Sequence, residues 1–314
     1  MSGPIRIGTR GSALALAQAE VVRAQVAALV PDRGAVLEIY KTSGDRFSID
    51  APEAPPGPQD VQGLFTKELD EALLSGKIEA CIHSLKDVPT TLTPGIALAA
   101  VLVREDVRDA VVAANGGSFR DLPNGSRIGT SSPRRTALLR NSRPDVTVAP
   151  LRGNLDTRLR KLREGHYDAI LVATAGLKRL GRGSEATGYL DPPEFLPSPA
   201  QGALGLTARS RDPETLKILS ALNDPDTRAC VEAERSFLRA LRGGCSVPVG
   251  AYAKREGDRM TLWGVVASMD GSEAVRRSVE GELSQAVRMG EDLADWCLSH
   301  GADDILRTVR KDRS

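Results

Sequence analysis

Two stretches far apart in the chain repeat one another: "RIGTRGS" (6–12) and "RIGTSSP" (127–133). In the first, the short apolar strand "IRIGT" (5–9) leads into "SALALAQAEVVRAQVAAL" (12–29), whose spacing and alanine content favour a helix with Ser12 as its N-cap. In the second, "RIGTSSPRRTALLR" (127–140) passes Ser132 and reaches Pro133, a residue suited to the first helical position. A further pair follows in the same order. "KELDEALLSGKIEACIHSLKD" (67–87) and "TRLRKLREGHYDAILVATAGL" (157–177) both read as helix, glycine stop and a buried strand of the form Gly-x-x-acid-Ala. Recurrence of two units in one order predicts two similar α/β lobes, each a sheet covered by helices, with ligand crevices at the carboxyl ends of the strands.

At 314 residues the chain has room for about two or three domains, each with its own core. We expect a first lobe of residues 1–102 and 200–220, the proline- and glycine-bearing "LPSPAQGALGLTAR" (196–209) returning the chain to it, and a second lobe of 103–199. From 221 to 314 the pattern changes. "DPDTRACVEAERSFLRALRGG" (224–244) reads as a capped amphipathic helix, and "VPVGAYAKR", "RMTLWGVVAS" and "EAVRRSVEG" as alternating strands joined by turns. One final helix is expected over roughly 284–310, completing a small α+β domain with a three-stranded antiparallel sheet. The proline-rich "DRFSIDAPEAPPGPQDVQ" (45–62) reads as a surface loop or lid.

Lys and Arg number 42 against 41 Asp and Glu, a net charge of +1, so no general basic field suggests nucleic acid or an anionic membrane as partner. Anion binding must therefore come from locally gathered arginines. Cys81, Cys230, Cys245 and Cys297 form no CxxC pair, which argues against zinc, thioredoxin-like or disulfide frameworks and for a reducing, cytoplasmic setting. The N-terminus lacks the apolar core of a signal peptide, and no run of roughly 18 apolar residues occurs. Phosphate-binding G-x-x-x-x-G-K-[ST], nucleophile-elbow and dinucleotide fingerprints are absent from the sequence, and no metal site is expected.

Both strand-to-helix corners carry arginines, Arg10 at the first and Arg134 with Arg135 at the second. Helix starts attract anions, and guanidinium forks grip carboxylates, so two such corners facing each other would form an anion cleft; solvated surface arginines are the competing reading. In "LRGNLDTRLRKLREG" (151–165), Arg152 and Arg158 lie near a helix start, while the remaining cations read as an outer face. Arg179 is either a further ligand group or a C-terminal helix cation. "ACIHSLKDVPTT" (80–91) places Lys86 and Asp87 at a strand's carboxyl end, where a carboxylate can stabilise a developing cation or move a proton; a turn aspartate bonding its own backbone is the alternative. His83 reads as a structural hydrogen-bonding residue. Cys245, after a helix end in "LRGGCSVPVG", does not have the helix N-terminal setting of a turnover thiolate, and a buried, inert thiol is the competing reading.

Taken in order, "IGTRGSALALAQA", "GLFTKELDEALL", "HSLKDVPT", "GTSSPRR", "LRGNLDTRL", "AGLKRL", "QGALGL" and "GGCSVPVG" resemble the porphobilinogen deaminase, or hydroxymethylbilane synthase, family. The resemblance runs from about Ile5 to the end of the chain. It implies two lobes like those of periplasmic binding proteins plus a third domain. It also implies a transferase of tetrapyrrole synthesis that condenses four porphobilinogen molecules into linear hydroxymethylbilane with release of ammonia. By the same resemblance a dipyrromethane cofactor is held by a thioether to Cys245, and Asp87 is the catalytic carboxylate. Arg10, Ser12, Lys67, Lys86, Thr130, Ser132, Arg134, Arg135, Arg152, Arg158 and Arg179 match cofactor- and substrate-binding positions. The glycines before Cys245 would give that tether its turn and clearance. Porphobilinogen and its polypyrrole intermediates are the implied partners, with no nucleic acid or membrane, and a monomer is expected. Gln62 departs from the family pattern, in which lysine stands at that position, while Lys67 matches it.

Overall fold

The computed structural model describes residues 3–42, 66–242 and 247–311. The chain runs through β1 (Ile5–Arg10), α1 (Ala13–Leu29), β2 (Ala35–Tyr40), α2 (Lys67–Leu74), β3 (Ala80–Ser84) and β4 (Ile96–Val101). It continues through β5 (Asp109–Ala113), β6 (Arg127–Gly129), α3 (Pro133–Ser142), β7 (Thr147–Ala149), α4 (Leu155–Arg163), β8 (Ala169–Ala173), α5 (Thr174–Arg179) and β9 (Gly188–Leu190). β10 (Leu204–Arg209) and α6 (Pro213–Ser220) follow, then α7 (Pro225–Ala240), β11 (Val249–Glu256), β12 (Arg259–Ala267), β13 (Ala274–Glu282), α8 (Ala286–Cys297) and α9 (Asp303–Lys311).

Each lobe is a five-stranded sheet with one strand order. The first reads β2-β1-β3-β10-β4 and the second β7-β6-β8-β5-β9. In both, three parallel strands are followed by an antiparallel one, β10 in the first and β5 in the second. The registers repeat as well. Ile7 and Gly8 stand opposite Ala80 and Cys81, as Ile128 and Gly129 stand opposite Ala169 and Ile170. The "QGALGL" stretch thus supplies a strand of the first sheet, between β3 and β4.

Alternation along the strands buries both faces. In the first lobe Ala80 and Ile82 pack with Ala19, Val22 and Val26 of α1, while Cys81 points to Leu69 and Leu73 of α2. In the second, Ala169 and Leu171 pack with Leu138 and Leu139 of α3, while Ile170 and Val172 pack with Leu159 and Leu162 of α4. The glycine of each "RIGT" is required by this packing. A Cβ on Gly8 would lie 2.5 Å from Ile78 Cδ1, and one on Gly129 would lie 2.9 Å from Tyr167 Cδ1. The acid of each Gly-x-x-acid-Ala also has a physical role: Glu79 accepts the Arg6 N–H at 2.9 Å and Asp168 accepts the Arg127 N–H at 2.6 Å.

The C-terminal domain is the antiparallel sheet β11-β12-β13 with helices α7, α8 and α9. Phe237, Leu262, Leu293, Cys297 and Leu306 meet in its core. The single helix expected over 284–310 is two helices. His300 (φ −117°, ψ 30°) and Gly301 (φ 102°) leave helical geometry, and the left-handed glycine redirects the chain between α8 and α9. By compactness, one unit holds the first lobe through Glu105 and Gly202–Arg228; the other holds Asp106–Gln201 and the chain from Ala229. The proposed lid segment 45–62, with Gln62, lies outside the described residues.

Candidate active site

In the first lobe β1 and β3 are parallel, so their carboxyl ends reach the same edge of the sheet. Arg10 ends β1, and Ser12 caps α1 by accepting the Ala15 N–H at 3.3 Å, an interaction that stabilises a helix start by about 1 kcal/mol. Beyond β3, Leu85–Asp87 form a single 3₁₀ turn closed by the Val88 N–H on the Leu85 carbonyl. Pro89 keeps the chain from continuing as helix. This brings Arg10 and Asp87 into one recess, lined also by Thr9, Ala15, Gln18, Thr66, Ile82, His83, Ser84 and Val88. Ser84 Oγ donates to Gln18 Oε1 at 3.1 Å, and His83 Nε2 lies 3.0 Å from Thr207 Oγ1. Burial, helped by the Arg10 charge, pulls the His83 imidazole down to about 4, which keeps it neutral at neutral pH. Lys86 is half-buried in the same turn, and Lys67 is exposed at the first position of α2.

The second lobe builds a corresponding corner. After β6, buried Thr130 accepts the Ser132 N–H at 3.2 Å, and Ser132 caps α3 by accepting the Arg135 N–H at 3.4 Å. Arg134 and Arg135 turn inward, 4% and 5% exposed, and pair with wholly buried Asp109 at 2.7 and 2.6 Å. Burial works against the Asp109 carboxylate, but the two guanidiniums outweigh it and hold the carboxyl far below the usual carboxylate range. Arg152 is half-buried just beyond β7. Arg158 on α4 donates from Nε to the Gly153 carbonyl at 2.9 Å, and Gly153 takes φ 114° where a Cβ would lie 2.7 Å from Thr157. Arg179 is the last residue of α5, half-buried.

The family model described as "Porphobilinogen deaminase, dipyromethane cofactor binding domain" matches residues 5–217, and that described as "Porphobilinogen deaminase, C-terminal domain" matches residues 228–298. The porphobilinogen deaminase of Syntrophobacter fumaroxidans is 47% identical over 305 residues, 97% of each chain. That of Syntrophotalea carbinolica is 46% identical over 308 residues, 98% of this chain and 96% of its own. The chain belongs to the porphobilinogen deaminase family.

As a member of the porphobilinogen deaminase family it is a transferase that polymerises a tetrapyrrole precursor. Among solved structures, a substrate binding domain of a putative molybdenum ABC transporter from Clostridium difficile is similar, with a TM-score of 0.44 and 12% identity, over 71% of this chain and 93% of that one. The cofactor-domain match of the deaminase family spans both corners, the Arg10–Asp87 recess and the Arg134–Arg135 cluster. Among the described residues no helix is long and apolar enough to cross a membrane, and no group of three or more acidic, histidine or cysteine side chains is placed to hold a metal.

Three cysteines of this deaminase are buried. The Cys81 thiol, 0% exposed, donates to the Leu69 carbonyl at 3.7 Å and is pushed well above its ordinary pKa by burial, while burial pushes Cys297 up to about 11. Such thiols make poor nucleophiles. Cys245 lies outside the described residues. Asp109 and Gln201 are not among the site residues expected from the sequence. The available signal was the lone acid opening the apolar run "DAVVA", because a charge in a strand buried on both faces requires a partner.

Proposed function

We propose that the chain joins four porphobilinogen molecules head to tail into linear hydroxymethylbilane, releasing one ammonia for each, on a dipyrromethane held by a thioether to Cys245. The observation that carries this reading is the shared recess of Arg10 and Asp87 at one sheet edge. Each condensation breaks the substrate's aminomethyl C–N bond, with ammonia as leaving group. A C–C bond then forms to the terminal pyrrole of the growing chain, which gives up a proton. Departure of ammonia leaves cationic charge on the pyrrole, and the Asp87 carboxylate stabilises that charge and carries protons between the pyrrole and the leaving amine. When bound, the dipyrromethane would supply an anchored nucleophilic pyrrole carbon, and after four additions water would break the C–C bond between that carbon and the first unit, giving the product its hydroxyl group and the pyrrole carbon its hydrogen back.

The chemistry of the donor set suits that group. Each pyrrole ring bears an acetate and a propionate, and both corners offer capped helix starts and arginines. Arg134 Nε is buried with no hydrogen-bond partner among the described residues, which favours an acceptor arriving with the ligand. Arg10, Ser12, Lys67 and Lys86 in the first lobe, and Thr130, Ser132, Arg134, Arg135, Arg152, Arg158 and Arg179 in the second, bind and orient the carboxylates. The family resemblance assigns the thioether to Cys245, and the burial of Cys81, Cys230 and Cys297 agrees with it; a reducing, cytoplasmic setting suits these thiols. We read the protein as a monomer.

The test is an intact-mass spectrum of protein made in porphobilinogen-producing cells. The wild-type chain is expected to exceed its sequence mass by one dipyrromethane, and Cys245→Ala to show the bare mass and release no ammonia while keeping its fold. A bare wild-type mass, or an adduct retained in Cys245→Ala, overturns the attachment.

A further inference from the structure

Asp109 is the charged residue of a strand that is otherwise apolar, and both its oxygens are engaged. Oδ2 accepts Arg134 Nη1 at 2.7 Å, while Oδ1 accepts Arg135 Nη2 at 2.6 Å, Arg135 Nε at 3.0 Å and Gln201 Nε2 at 3.0 Å. Backbone carbonyls complete the grip. Arg134 Nη1 donates to Leu196 at 2.8 Å and Arg135 Nη1 to Leu171 at 2.9 Å. Two long side chains that would otherwise sample many rotamers are thereby held in one arrangement.

Against this saturation, Arg134 Nε is an exception. It is buried and has no hydrogen-bond partner among the described residues. A buried N–H without an acceptor is unfavourable, so this edge of the guanidinium marks where an acceptor belongs. Charge counting agrees: two guanidiniums and one carboxylate leave one positive charge in the cluster. Without Asp109, two like charges would repel each other in a poorly solvated place.

We propose that Asp109 is the positioning residue of a second-lobe carboxylate site: it neutralises one guanidinium charge and fixes both forks, leaving the Nε edge of Arg134 and one net positive charge for a single carboxylate of the ligand. The inference rests on the proposed function, which supplies a ligand bearing carboxylates. Asp109 acts through the two arginines. Its exchange therefore weakens capture of the anion more than it slows the bond-making step.

The test compares Asp109→Asn and Asp109→Glu with the wild-type full-length protein in thermal melts, in intact-mass spectra after exposure to porphobilinogen, and in ammonia-release kinetics. Asp109→Asn is expected to take up the dipyrromethane mass in under a tenth of the wild-type fraction. In its loaded fraction KM for porphobilinogen rises about tenfold and kcat changes less than threefold. Asp109→Glu keeps the ion-pair charge and so the fold, but displaces the forks; its KM rises about fivefold. Wild-type loading and KM in folded Asp109→Asn would overturn the proposal, as would a loss explained wholly by unfolded protein with KM unchanged in the rest. Should Asp109→Asn fail to fold, wild-type KM in Asp109→Glu overturns it alone. Failure of the functional reading is distinguishable, because the wild-type chain itself would then neither gain the mass nor release ammonia.

Discussion

Glu234 holds the backbone N–H of Ala200 at 2.7 Å with one carboxylate oxygen, and with the other it holds the N–H of Ala253 at 2.8 Å. The glutamate is wholly buried on α7, while Ala200 has φ 63°, in the left-handed region that favours glycine. One side chain thus ties the segment before β10 to β11 and offsets backbone strain at Ala200.

Glu234→Ala leaves both N–H groups buried without this acceptor, and a loss of about 3 kcal/mol is expected, since buried hydrogen bonds to charged groups contribute about 1.5–3 kcal/mol each. Glu234→Gln keeps one carbonyl acceptor and is expected to lose roughly half as much. Denaturant unfolding followed by tryptophan fluorescence measures both. A wild-type midpoint for Glu234→Ala would remove the carboxylate from the account of this segment.

His83 gives a pH dependence with a definite sign. Its folded-state value of about 4 lies below the ordinary 6.5, because burial and then the Arg10 charge disfavour the imidazolium. Between those values the unfolded chain binds the proton and the folded chain does not, so stability from this group is present above pH 6.5 and falls as pH drops toward 4. The full loss is about 3 kcal/mol, at 1.36 kcal/mol for each pH unit. His83→Gln keeps a hydrogen-bonding group for Thr207 but does not titrate, and its stability curve is expected to be flatter than that of wild type over this window. Parallel curves would show that His83 does not set the acid limb.

The repeats "RIGT" and Gly-x-x-acid-Ala were legible because each encodes a local physical demand. Gly8 and Gly129 admit a side chain from the neighbouring strand's lead-in, and Glu79 and Asp168 tie the entry of that strand to Arg6 and Arg127, near the start of its neighbour. Ser12 and Ser132 were legible for the same reason, since an N-cap needs only its own helix. Less visible was what depends on distant partners. The inward turn of Arg134 and Arg135 is set by an aspartate on β5, and nothing in "SSPRR" distinguishes a guanidinium drawn into the interior from one facing solvent. The break between α8 and α9 was lost for a different reason: "LSHGA" interrupts an otherwise periodic run by a single glycine, which a helix tolerates at about 1 kcal/mol unless tertiary packing favours a turn.

Asp87 carries the most direct expectation for the chemistry. Asp87→Asn keeps the shape of the recess it shares with Arg10 and removes only the negative charge and the proton acceptor. If the carboxylate stabilises the cation left when ammonia departs, its loss is felt in the transition state more than in the bound substrate. We expect kcat to fall by about 10²–10³-fold with KM changed less than about threefold. Arg10→Gln in the same recess should do the reverse, raising KM for the carboxylate-bearing substrate while kcat falls much less. Ammonia release at saturating and limiting porphobilinogen separates the two effects. A common pattern in both variants would mean that the recess binds as a unit and that Asp87 has no distinct part in the bond-breaking step.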